Sequence, residues 1–128
     1  MSRGLADTTV FIAQESRRQL NTALLPDEVA VSVITIGELR AGVLAATDPE
    51  VRERRLRTYE AALRLDPVAI DGRVADAWAR LRILLRDAGR RMPVNDSWIA
   101  ATALSLGVPV ITQDDDFPEI TGLDVIRV

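Results

Sequence analysis

The chain has 128 residues, is 48% hydrophobic and 27% charged, carries a formal net charge of −3, and contains neither cysteine nor histidine. That length suits one domain over residues 1–128, able to bury roughly two-thirds of its unfolded surface, and the balance excludes a disordered chain. Disulfides, thiol nucleophiles, thiolate or imidazole metal sites and histidine general bases are ruled out, and because all sixteen basic residues are arginine, so is lysine chemistry.

In chain order, Gly4 to Ile12 reads as a short apolar strand with one charge inside it, followed by helix-prone residues 13–25 that stop near Pro26. The β-branched run 29–34 (VAVSVI) leads into a helix, TIGELRAGVLAA. Pro49 suits the first turn of the next helix, running to about Leu65. Residues 67–70 (PVAI) form a strand candidate, and Asp71 caps a helix whose apolar face carries Val74, Ala77, Trp78, Leu81, Leu84 and Leu85. Gly89 ends that helix. Asn95 opens DSWIAATALSL, which Gly107 terminates, and strands VPVIT and LDVIRV follow. Strands alternating with helices predict an α/β domain, a three-layer α/β/α sandwich with a mainly parallel central sheet. No apolar run reaches the ~20 residues of a membrane helix and no signal-peptide core is evident, so the expected compartment is the cytoplasm.

Ligands of open α/β sheets bind beyond the carboxyl ends of the strands, and four acids map to that edge. Asp7 lies toward the end of the first strand, Glu38 one turn beyond the second, Asp96 at the start of a helix, and Asp114 just after VPVIT. Each has a plainer structural reading. Thr35-x-x-Glu38 matches a capping box, Asp96 follows Asn95, a candidate N-cap, and Asp115 and Asp116 beside Asp114 precede Pro118 as solvated turn residues would. Taken together they are harder to dismiss. Two carboxylates ~4 Å apart repel by about 4 kcal/mol at an effective dielectric of 20. Four in one crevice need protons, arginines or a cation, and carboxylate oxygens suit a hard divalent ion.

DTTVF, VITIGELRAG, NDSWIAATALSLGVPVITQD and the closing DF, in that order, resemble the PIN-domain ribonucleases, most of all the VapC-type toxins of bacterial toxin–antitoxin pairs. The resemblance spans nearly the whole chain. It implies a metal-dependent endoribonuclease using Mg²⁺ or Mn²⁺, silenced by a cognate antitoxin and usually dimeric. It places the acidic quartet on Asp7, Glu38, Asp96 and Asp114, as catalytic residues and metal ligands. Thr9, Thr112 and Asp116 would be supporting or substrate-facing residues. Thr9 stands where Asn or Ser is commoner, and Asn95-Asp96 departs from the usual pair, but no quartet member is lost.

A pI near 5.0 is unusual for an RNA binder. Arginines cluster at 52–57 and 82–91; the first cluster reads as a solvated helix face with Glu50–Arg54 and Glu53–Arg57 pairs, while Arg90 and Arg91 are better placed for phosphate. Trp78 and Trp98 read as core rather than base-stacking residues. Leu39, Val43 and Leu44 suit core, an antitoxin groove or a dimer seam equally. The competing function is a noncatalytic PIN-like module whose acidic pocket docks an arginine-rich partner. A glycosidase lacks a sugar cleft and aromatic residues, and a phospho-receiver lacks its pocket lysine.

Overall fold

The computed structural model describes every residue of 1–128 except Asp116. Among the described residues, strands β1 (Arg3–Ala6), β2 (Glu28–Val31), β3 (Val110–Thr112) and β4 (Val125–Arg127) form one parallel sheet in the order β2-β1-β3-β4. The helices are α1 (Thr8–Glu15), α2 (Val33–Ala45), α3 (Pro49–Leu63), α4 (Gly72–Asp87) and α5 (Val94–Leu106).

Alternation along each strand divides the core into two layers. Leu5 and Val110, with the less buried Ala30 and Val125, face α4 and α5, meeting Leu81, Leu85, Ile99, Ala100 and Ala103. Ala6, Val31 and Ile111, one residue further along, face the other way onto Val10, Phe11, Leu39 and Ala62 of α1, α2 and α3. Both faces of the sheet are covered, as a parallel sheet requires. Small residues bring α5 onto the sheet, since Ala100, Ala101 and Ala103 are all fully buried. Gly4 serves a similar end: a Cβ there would stand 2.7 Å from Cδ1 of Ile111 on the neighbouring strand.

Several element bounds differ from expectation. The first strand stops at Ala6, because the Asp7 side chain accepts the Thr9 N–H and so caps α1. That helix ends at Glu15, and residues 16–25 hold only a 3₁₀ turn, Thr22–Leu24. The second strand ends at Val31, because Ser32 accepts the Ile34 N–H and starts α2 two residues early. Residues 67–70 contribute one parallel bridge, Val68 to Ser32, rather than a strand. Helix α5 begins at Val94 after Pro93, with no side-chain cap, so Asn95 lies within its first turn. Asp48 and Asp71 cap α3 and α4, and Gly107, at φ 68°, ends α5.

Strand β1 has β2 on one side and β3 on the other, so the order reverses between β1 and β3. The chain segments leaving those two strands diverge there and leave a crevice at their carboxyl ends. Asp7 and Asp114 follow those ends.

Candidate active site

Asp7 is the most constrained of the four acids. It is 2% exposed. The Thr9 N–H donates to its Oδ1 at 3.0 Å and the Thr9 hydroxyl to the same oxygen at 2.5 Å, while the Thr112 hydroxyl donates to Oδ2 at 2.5 Å. Each hydroxyl in turn accepts a backbone N–H from the segment after β3: Gln113 to Thr9 and Asp114 to Thr112, both at 2.9 Å. With both hydroxyl protons committed to Asp7, the 3.3 Å approach of Thr9 to Thr112 is contact rather than a further bond. Burial raises the Asp7 pKa above its usual value, outweighing the hydrogen bonds from Thr112, Thr9 and Val10 that favour the anion.

Glu38 projects from α2. It is not a capping-box acid, because Ser32 caps that helix and Thr35 lies in its first turn. Instead its Oε1 accepts the Thr8 hydroxyl at 2.7 Å, and Thr8 lies 3.0 Å from the fully buried hydroxyl of Thr35. The sequence pattern leaves Thr8 outside the expected site and gives Thr35 only a capping role. The signal available was the doubled threonine after Asp7, whose two hydroxyls reach two different carboxylates.

Asp96 sits in the first turn of α5, half-buried. A helix N-terminus favours an anion there by ~0.3–1 kcal/mol. Other forces win: burial, then repulsion from Asp7, Glu38 and Asp114, push its pKa up to about 6. The arginine ion pairs among the described residues include none of Asp7, Glu38 and Asp96. Asp96 is thus within electrostatic reach of Asp7, Glu38 and Asp114, although the four come from separate segments. Asp114 leaves β3 through the backbone bond to Thr112, and its carbonyl accepts the Phe117 N–H at 3.4 Å. Phe117 is 2% exposed in the α4–α5 layer and anchors the segment. Asp116 lies outside the described residues.

The PIN domain family matches residues 5–123. The chain belongs to it. Among curated relatives of this PIN domain, Ribonuclease VapC5 of Mycobacterium tuberculosis is 52% identical over 128 residues, covering 98% of this chain and 95% of the relative. Ribonuclease VapC4 of the same organism is 48% identical over 126 residues, covering 98% of this chain and 97% of the relative. Among solved structures, that of VapBC-5 from M. tuberculosis, a member of the VapBC family of toxin–antitoxin systems, superimposes with a TM-score of 0.91 at 47% identity, covering all of both chains.

The donor chemistry of this PIN domain suits a hard cation, being oxygen throughout. Among the described residues, no three carboxylates are gathered tightly enough to hold an ion as they stand. That does not conflict with the raised pKa of Asp96. Repulsion acts over several Å, whereas metal–oxygen bonds span ~2.0–2.6 Å. Asp7 and Glu38 are held by hydroxyl donors, while the causes acting on Asp96 include no hydrogen bond.

Around the site, a groove lined by Thr8, Ile12, Glu15, Glu38, Leu39 and Arg54 adjoins Glu38. Leu39 and Val43 are core residues and Leu44 is exposed. Arg57 pairs with Glu53 as expected, at 3.1 Å, but Arg54 turns to Glu15 at 3.9 Å rather than to Glu50. Arg90 donates to the Glu119 carbonyl, which ties it to the segment after β3. Trp78 and Trp98 are half-buried and stacked on each other, with centroids 4.3 Å apart, and Arg82 lies over Trp78.

Proposed function

We infer that this PIN domain is a metal-dependent endoribonuclease, the toxin of a type II toxin–antitoxin pair, hydrolysing RNA phosphodiester bonds. The observation that carries the reading is Asp96: a half-buried carboxylate repelled by Asp7, Glu38 and Asp114, each from a different segment, is a place for a cation. Divalent-metal dependence is general among ribonucleases of this family, and Mg²⁺ or Mn²⁺ fits an all-oxygen donor set. Asp7, Glu38, Asp96 and Asp114 would hold the ion directly or through water. The bound ion would neutralise phosphate charge and lower the pKa of the attacking water.

The protein's own part is positioning. Thr9 and Thr112 fix both oxygens of Asp7, so its orientation is set before substrate arrives. Thr112 also ties Asp7 to the Asp114 backbone, so the acids on either side of the β1–β3 crevice move together. The chain is read as a single domain over residues 1–128, a homodimer, and a cytoplasmic protein; no helix among the described residues is long and apolar enough to cross a membrane. Its partners are RNA and a cognate antitoxin, for which the groove beside Glu38 is a suitable seat.

Purified protein should cleave RNA in Mg²⁺ or Mn²⁺ and stop when the metal is chelated. Asp96→Asn should lower the rate by more than about a hundredfold, above the 10–100-fold typical of losing a supporting residue, with an unchanged circular dichroism spectrum. Metal-indifferent cleavage, or full activity in Asp96→Asn, would contradict the reading. A noncatalytic module docking an arginine-rich partner would show no cleavage and a partner affinity insensitive to chelator.

A further inference from the structure

Two adjacent threonines at the start of α1 serve two different acids: Thr9 donates to Asp7, and Thr8 donates to Glu38 on α2. The direction of the second chain follows from inventory. An ionised carboxylate only accepts, so the single hydroxyl proton of Thr8 goes to Oε1 of Glu38 at 2.7 Å. The 3.0 Å contact between Thr8 and Thr35 must then be supplied by the proton of Thr35, with the oxygen of Thr8 accepting. The result is a one-way chain, Thr35 to Thr8 to Glu38, linking three residues from two helices.

We propose that Thr8, backed by Thr35, is a positioning residue that commits Oε1 of Glu38 to the protein and leaves Oε2 as the oxygen presented to the cation. Thr35 is fully buried, so its hydroxyl has no water to turn to and keeps Thr8 oriented. Glu38 is the longest of the four acidic side chains and has the most rotamer freedom to lose. A donor at one oxygen removes that freedom without neutralising the charge. The inference rests on the ribonuclease reading for its kinetic consequence, but not for its effect on metal binding.

The test compares Thr8→Val, Thr8→Ser and the double variant Thr8→Val/Thr35→Val. Mn²⁺ affinity is measured by titration calorimetry, alongside melting temperature in chelator and kcat and KM on RNA. Thr8→Val should weaken Mn²⁺ binding by about 10–100-fold and lower kcat similarly, as loss of an orienting partner does, with KM for RNA little changed. Thr8→Ser should restore both. The double variant discriminates position from stability. Removing both hydroxyls leaves no buried hydroxyl unpaired, and Oε1 of the half-buried Glu38 can turn to water, so its melting temperature should recover while its Mn²⁺ affinity and kcat stay low. Recovery of all three together would overturn the proposal, as would wild-type Mn²⁺ affinity in Thr8→Val or no Mn²⁺ binding by the wild type. If the wild type binds Mn²⁺ yet cleaves no RNA, the ribonuclease reading fails and the affinities alone decide the role of Thr8.

Discussion

Burial and like charge act in the same direction on Asp7 and Asp96, and the consequence is a stability that depends on pH. A carboxyl whose pKa is raised by folding binds its proton more tightly in the fold than in the unfolded chain. Its contribution therefore favours the fold as pH falls from about 6 toward the unfolded value of 3.8, and is lost as pH rises through about 6. Asp7 is raised as well and adds in the same sense. In chelator at pH 7.5, Asp96→Asn should thus raise the melting temperature by relieving repulsion. Solvent screening of a half-exposed group holds the gain to about 1 kcal/mol. The difference from wild type should shrink toward pH 5, where Asp96 is itself protonated. Thermal melts across that range check it, and a variant that melts lower than wild type at pH 7.5 would show that the carboxylate makes favourable bonds instead.

At the scale of elements, helix starts decide where the functional side chains stand, and they are also where sequence reading was weakest. Asp7 was legible as an acid out of place in an apolar strand, and the structure makes it the cap that ends β1 and begins α1. Ser32, not Thr35, starts α2, which frees Glu38 from a capping role; two hydroxyl residues three apart offer the same local chemistry, and only the pairing of Ser32 with Val68 separates them. Alternating strands and helices, the parallel sheet and most helix ends followed from periodicity, Pro49, Gly107 and the Asp71 cap. The Thr8–Glu38 and Trp78–Ser97 bonds did not, because they join residues 30 and 19 positions apart. The second of these braces the uncapped start of α5. Trp78 donates its indole N–H to Ser97 at 3.0 Å, and Ser97 donates to the Val94 carbonyl at 2.5 Å, bracing the turn that holds Asp96. Trp78→Phe keeps an aromatic face for Trp98 but removes that donor, and should cost about 1 kcal/mol in urea unfolding. An unchanged midpoint would mean that the brace carries no energy.

For the molecule as a whole, an acidic chain that acts on RNA presents an electrostatic problem, and the arrangement of its charges eases it. Part of the negative charge is concentrated at the β1–β3 crevice, where a cation would offset it, while Arg54, Arg55, Arg90 and Arg127 brace neighbouring segments through Glu15, Gly42, Glu119 and Phe117. The fold's contribution is to bring Asp7, Glu38 and Asp114, from three segments, within reach of Asp96 on a fourth; their places at strand ends and a helix start point to a shared edge, and the strand order brings them together there. Anomalous diffraction from crystals grown with Mn²⁺ tests this convergence most directly. The account predicts a manganese peak in the crevice, bound directly or through water by Asp7, Glu38, Asp96 and Asp114. A peak elsewhere on the protein, or none at saturating Mn²⁺, would contradict it.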